Sequence, residues 1–176
     1  MNPDQAREFV ARNHQAVMIT RRSAGGLQTS PVTVGIDSDG QVVISSRETA
    51  YKVRNLRRHP TATLCVFTDH FFGPWIQLDA TTQIVPLPQA MDGLIDYYRR
   101  ISGEHPDWDD YRRAMVDQQR VLIRLTIDNV GPTHAGWTSS GRAVGSGSLF
   151  DLQCKSSHLP TERPGIGQGT AARRDP

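Results

Sequence analysis

The sequence predicts a mainly β domain with inserted helices, six antiparallel strands rolled into a small barrel that is closed or nearly so. Three observations predict it. Short runs of the chain alternate apolar and polar residues with a period of two. Glycine- and aspartate-rich turns join the first three runs into a meander. Six such runs leave two exposed edges unless the sheet closes, and closure removes them.

The elements follow in order. Asn2 can cap a first helix, Pro3 suits its first position, and Ala6, Phe9 and Val10 recur on one face. Residues 16–20, Ala-Val-Met-Ile-Thr, read as a first strand, and Gly25-Gly26 as the turn after it. Leu27 to Ile36 runs back as a second strand, with Pro31 marking an edge or bulge. Asp37-Ser38-Asp39-Gly40 turns into a third strand over residues 41–45. A short helix from Thr49 to Arg58 ends at His59-Pro60, and residues 61–68 form a fourth strand around Leu64-Cys65-Val66-Phe67, where Cys65 is expected as an inert buried thiol. Residues 75–85 alternate as a long fifth strand. Met91, Leu94, Ile95, Tyr98 and Ile101 share one stripe of a helix over 89–101, and Asp107 caps another running to about Gln119. Residues 121–127 alternate as the sixth strand.

The 176 residues suffice for one domain of ordinary size. From Pro132 onward lie seven of the fifteen glycines and four of the eleven prolines, so the domain is expected over residues 1–131 and a disordered tail over 132–176. Residues 1–131 hold fifteen basic and fifteen acidic side chains, a balance that argues against nucleic acid as a partner. No apolar run reaches the roughly 20 residues a bilayer span needs, so no membrane partner is expected. The opening residues Met1-Asn2-Pro3-Asp4 do not begin a secretory signal, which makes the cytoplasm the expected compartment. The six histidines and two cysteines lack metal-ligand spacing, so no metal site is expected.

Chemistry concentrates in residues 45–58, Ser45-Ser46 followed by a segment with five basic residues against one acidic. Hydroxyls, Lys and Arg side chains and helix amides are the groups that hold phosphates, and Lys52 is the one lysine before residue 132. A solvated basic face fits these residues equally well. Trp75 reads as core or dimer contact before groove lining. The carboxylates from Asp107 to Asp110 read as capping and helix-dipole groups.

The segment Lys52-Val53-Arg54-Asn55-Leu56-Arg57-Arg58-His59-Pro60, preceded by a strand and Ser45-Ser46, is followed later by Gly103-Glu104-His105-Pro106-Asp107-Trp108-Asp109-Asp110-Tyr111-Arg112. In this order the chain, over about residues 5–131, resembles the actinobacterial deazaflavin-dependent members of the pyridoxamine 5′-phosphate oxidase-like superfamily. The resemblance implies a six-stranded FMN-binding split barrel that forms a homodimer, with a flavin-like cofactor in a groove at the interface. It puts the phosphate-binding lysine at Lys52, with Arg54 and Asn55 beside it and Ser45 and Ser46 at the end of the preceding strand. It lays Gln28, Thr29, Ser30, Pro31 and Val32 along the ring system. Where the pyridoxamine phosphate oxidases carry an Arg and a Lys on the second strand for the FMN phosphate, this chain has Gln28 and Thr33. Their closing Trp and Arg-Leu substrate motif has no match after Val121. The resemblance therefore implies coenzyme F420, with hydride transfer between its reduced ring and an unsaturated small organic substrate, few catalytic side chains, and a specificity set by loops such as 69–74. FMN in an oxidase or reductase, and an F420 carrier without turnover, are the alternatives.

Overall fold

The computed structural model describes residues 1–70 and 72–134. The expectations for the tail beyond His134 lie outside the described residues.

Helix α1 (Pro3–Arg12) opens as the sequence predicts: the Asn2 side chain accepts from the Gln5 N–H, and the Gln5 side chain accepts from the Asn2 N–H. Then come β1 (Gln15–Arg21), β2 (Leu27–Thr33), β3 (Gly35–Ile36) and β4 (Val42–Arg47). Helix α2 (Tyr51–Arg58) leads to β5 (Thr61–Phe67) and β6 (Trp75–Val85), and α3 (Met91–Ser102) and α4 (Trp108–Asp117) precede β7 (Arg120–His134). All strand pairings are antiparallel, in the spatial order β2-β1-β5-β6-β7-β4-β3. No helix among the described residues is long and apolar enough to cross a membrane.

The sheet has seven strands where six were expected, because the run 27–36 breaks at Val34. Its N–H donates to the His14 carbonyl at 2.9 Å, and its carbonyl accepts from His14 Nδ1 at 2.9 Å. With its main chain held by His14, Val34 carries the strand from one end of the sheet to the other, β2 lying beside β1 and β3 beside β4. A sheet whose two terminal strands are joined by one residue must curl until its ends meet. That is a split barrel, and inward-facing residues such as Met18, Ile44, Leu64, Leu78 and Ile123 fill it.

The last strand is longer than the predicted 121–127. It pairs with β6 as far as Trp75 opposite His134, and register shifts near Leu78 and Asp79 absorb the stretch whose alternation fails. A second apolar cluster lies outside the barrel, where Leu94, Ile95, Tyr111 and Met115 of α3 and α4 cover Val43 and Leu122. Asp107 caps α4, accepting from the Asp109 and Asp110 N–H groups. The tight turn before β4 is tied down by Asp37, 9% exposed, whose carboxylate takes the Arg124 guanidinium at 2.6 Å.

Candidate functional site

Helix α2 turns Val53 and Leu56 into the barrel core. The rest of the helix divides. Lys52 lines a groove on one side, while Tyr51, Arg54, Asn55 and Arg58, spaced i, i+3, i+4 and i+7, line a cleft on the other.

The groove encloses about 710 Å³ where β2 and β4 diverge without pairing to each other. Val17, Pro31, Val32, Phe67 and Met115 supply apolar walls. Across the split, the Tyr97 hydroxyl of α3 donates to the Thr33 carbonyl of β2 at 2.9 Å, and both Tyr97 and Ser45 of β4 line the groove. One phenol thus ties α3 to the edge of β2. Burial, against smaller opposing effects of Ser45, Arg120 and Thr33, pushes its pKa up. Tyr111 donates to the Leu94 carbonyl at 3.0 Å, and burial pushes its pKa up to about 12. Tyr98 packs edge-on against Tyr111, Trp108 and His105, with centroids 5.2 to 5.9 Å apart.

Two cations face this lining. Lys52 is half-buried, and loss of solvent, then the neighbouring Arg120 guanidinium, lower its pKa below the usual lysine value. Arg120 donates through Nε to Gln118 Oε1 at 2.9 Å. Neither cation meets a carboxylate among the described residues. Apolar walls, neutral phenols and two uncompensated positive charges suit a flat, partly aromatic ligand that carries an anion.

The cleft encloses about 420 Å³. Its floor is Asn55, 5% exposed, whose amide nitrogen donates to Thr20 Oγ1 at 3.1 Å and to Gln28 Oε1 at 2.8 Å. Arg22, from the hairpin between β1 and β2, faces Arg54 and Arg58 across it. The Arg54 guanidinium stacks on the Tyr51 ring, 4.4 Å from its centroid.

The residues singled out from sequence therefore fall into three places. Pro31, Val32, Ser45 and Lys52 line the groove. Gln28, Arg54 and Asn55 line the cleft. Ser30 and Ser46 are buried and line neither, Ser30 receiving a long hydrogen bond from Gln28 and Ser46 sharing the inward face of Ile44. Trp75 begins β6 opposite Phe67. His105 belongs to the aromatic cluster beside the groove, its Nδ1 accepting from the Asp107 N–H. Cys65 corrects an expectation: it is half-buried on the outer face, because β5 turns Leu64 and Val66 inward and its own side chain out.

Sequence reasoning missed Tyr97, Tyr111, Met115 and Arg120, assigning the helical positions to packing stripes or leaving them aside. One signal could have found the tyrosines. The chain has four, three line the groove, and the fourth, Tyr51, lines the cleft.

Comparison with known proteins places this geometry. The family model described as pyridoxamine 5′-phosphate oxidase matches residues 3–134. Among solved structures, a conserved hypothetical protein from Mycobacterium tuberculosis superposes with a TM-score of 0.64 at 16% identity, covering 85% of this chain and 94% of its own. An F420 reductase superposes at 0.54 and 18% identity, covering 70% and 94%. A heme binding protein from Mycobacterium smegmatis superposes at 0.59 and 16% identity, covering 77% and 54%. At these identities the likeness is one of fold, and the fold alone does not select a cofactor.

Proposed function

The chain belongs to the pyridoxamine 5′-phosphate oxidase family, and from that premise we propose that it is an F420-dependent oxidoreductase that passes a hydride between the reduced deazaflavin and an unsaturated small organic substrate. The observation that carries this reading is the pairing of Lys52 and Arg120, cations without carboxylate partners among the described residues, with an aromatic and apolar groove of about 710 Å³. The deazaflavin supplies the hydride chemistry when bound, so the protein's part is to bind, orient and keep water away. Pro31, Val32 and Val17 would wall the ring, and Lys52 and Arg120 would meet its anionic tail. Tyr97 would hold the two sides of the groove at a fixed separation.

Gln28, where the resembling oxidases carry a phosphate-binding arginine, lines the cleft across α2 and not this groove, and its carbonyl is engaged by Asn55 at 2.8 Å, so it offers no cation to an FMN phosphate here. The groove opens beside the outer face of β1 and β5, where Val17, Ile19, Cys65 and Phe67 are only half-buried. We propose that a second copy of the chain covers that face and completes the groove.

Fluorescence titration with F420 and FMN side by side tests the reading. F420 is expected to bind more tightly, and Lys52→Ala to weaken it by roughly tenfold to a hundredfold, the value of about 1.5 to 3 kcal/mol for a charge-assisted contact. Preference for FMN, or unchanged F420 affinity in Lys52→Ala, overturns it. Single-turnover mixing of the reduced complex with candidate enones or quinones then separates an enzyme from a carrier.

A further inference from the structure

We propose that the cleft between α2 and the β1–β2 hairpin is a second anion seat, independent of the groove, for a ligand bearing a diphosphate or triphosphate group. The argument begins with how the chain disposes of its positive charge. Eight different arginines, from Arg7 in α1 to Arg124 in β7, each hold a carboxylate. Six hold none among the described residues: Arg21, Arg47 and Arg120 stand apart, and the other three, Arg22, Arg54 and Arg58, line the same cleft. No acidic residue among the described residues lines it with them. Three guanidiniums without a carboxylate partner among the described residues, gathered around one concavity, leave local positive charge for a ligand to neutralise.

The local structure points the same way. Arg54 and Arg58 are one helical turn apart on α2, on the stripe that begins with Tyr51. Arg54 holds its guanidinium carbon over the Tyr51 ring, 4.4 Å from the centroid, a contact that consumes none of its N–H donors. Below them the floor is fixed, because Asn55 spends its amide protons on Thr20 and Gln28. Three guanidinium forks supply donors only. That arrangement suits clustered phosphate oxygens better than a single carboxylate, and about 420 Å³ exceeds what one small anion fills. Tyr51, 69% exposed, leaves part of its ring at the mouth of the cleft for an aromatic group attached to the phosphates.

Calorimetric titration of the full chain with sodium pyrophosphate, at constant ionic strength, tests the seat. Saturable binding is expected, weakened at least about tenfold in Arg54→Gln/Arg58→Gln and also in Arg22→Gln, which leaves α2 untouched. Lys52→Ala and saturation with F420 are expected to leave it unchanged. Absence of saturable binding, equal binding by the cleft variants at unchanged melting temperature, or displacement by F420 overturns the proposal. The inference does not depend on the reading of the groove: pyrophosphate binding without F420 binding removes that reading and leaves this one. F420 binding without pyrophosphate binding does the reverse.

Discussion

The ammonium of Lys52 has lost part of its solvent and gained no carboxylate among the described residues, and the nearby Arg120 adds repulsion, so its folded-state pKa lies below the ordinary 10.5. The sign follows from linkage. A lysine whose pKa is lowered by folding opposes folding while charged in both states, and that penalty fades as pH rises through its folded value. An anion bound beside it reverses the shift. Binding in the groove should therefore take up protons on the alkaline side, between the lowered pKa of the free protein and the raised pKa of the complex. F420 titrations in two buffers of different ionisation enthalpy measure that uptake, which should vanish in Lys52→Ala. No uptake by the wild-type protein in this window, with F420 bound, would mean that Lys52 does not face the anion. The identity of Lys52 as a site residue was legible from its motif. The position of Asn55 beside it was not enough to show its use, because only the folded chain brings Thr20 and Gln28, 35 and 27 residues away, against its amide.

At the scale of elements, α2 and α3 perform different tasks around one barrel. α2 distributes cations to two sides, a separation already implied by the roughly 100° between successive helical residues that sets Lys52 apart from the Tyr51, Arg54 and Arg58 stripe. α3 is tied to the edge of β2 through Tyr97. Gly35 lets the end of α3 pack close to β3, since a Cβ there would lie 3.2 Å from the Ile101 side chain. Tyr97→Phe keeps the ring and removes the link between α3 and β2. The expected cost is about 1 kcal/mol of stability, a melting temperature lower by a few degrees, and weaker F420 binding as the groove loses its fixed width. Differential scanning fluorimetry and fluorescence titration read the two effects, and an unchanged affinity would limit Tyr97 to packing. The strands with clean alternation, such as β1, β5 and β6, were legible from period alone. The break at Val34 was not, because it depends on His14 taking both of that residue's main-chain groups. The far end of β7 escaped as well, since its bulged pairing hides the alternation that a periodic reading requires.

For the whole molecule, the helices cover the barrel unevenly. α3 and α4 bury Val43 and Leu122, while the outer residues of β1 and β5 stay half-buried, and the groove opens beside them. A protein that leaves an apolar sheet face next to its binding groove gains from covering it, since a stable interface removes about 800 Å² per partner from water. The wild-type chain is therefore expected to sediment as a dimer at micromolar concentration. Ile19 lies on the open face, between Thr29 and Thr63 in the ladder, and does not line the groove. Ile19→Asp puts a charge on that face without touching a groove residue, so it should give a folded monomer whose F420 affinity is at least about tenfold lower. Because Val17, two residues along on the same face, lines the groove, a loss of affinity is assigned to the second protomer where it accompanies loss of the dimer. A wild-type monomer with full F420 affinity, or a monomeric Ile19→Asp variant that binds as tightly as the parent, would show that one chain makes the whole site.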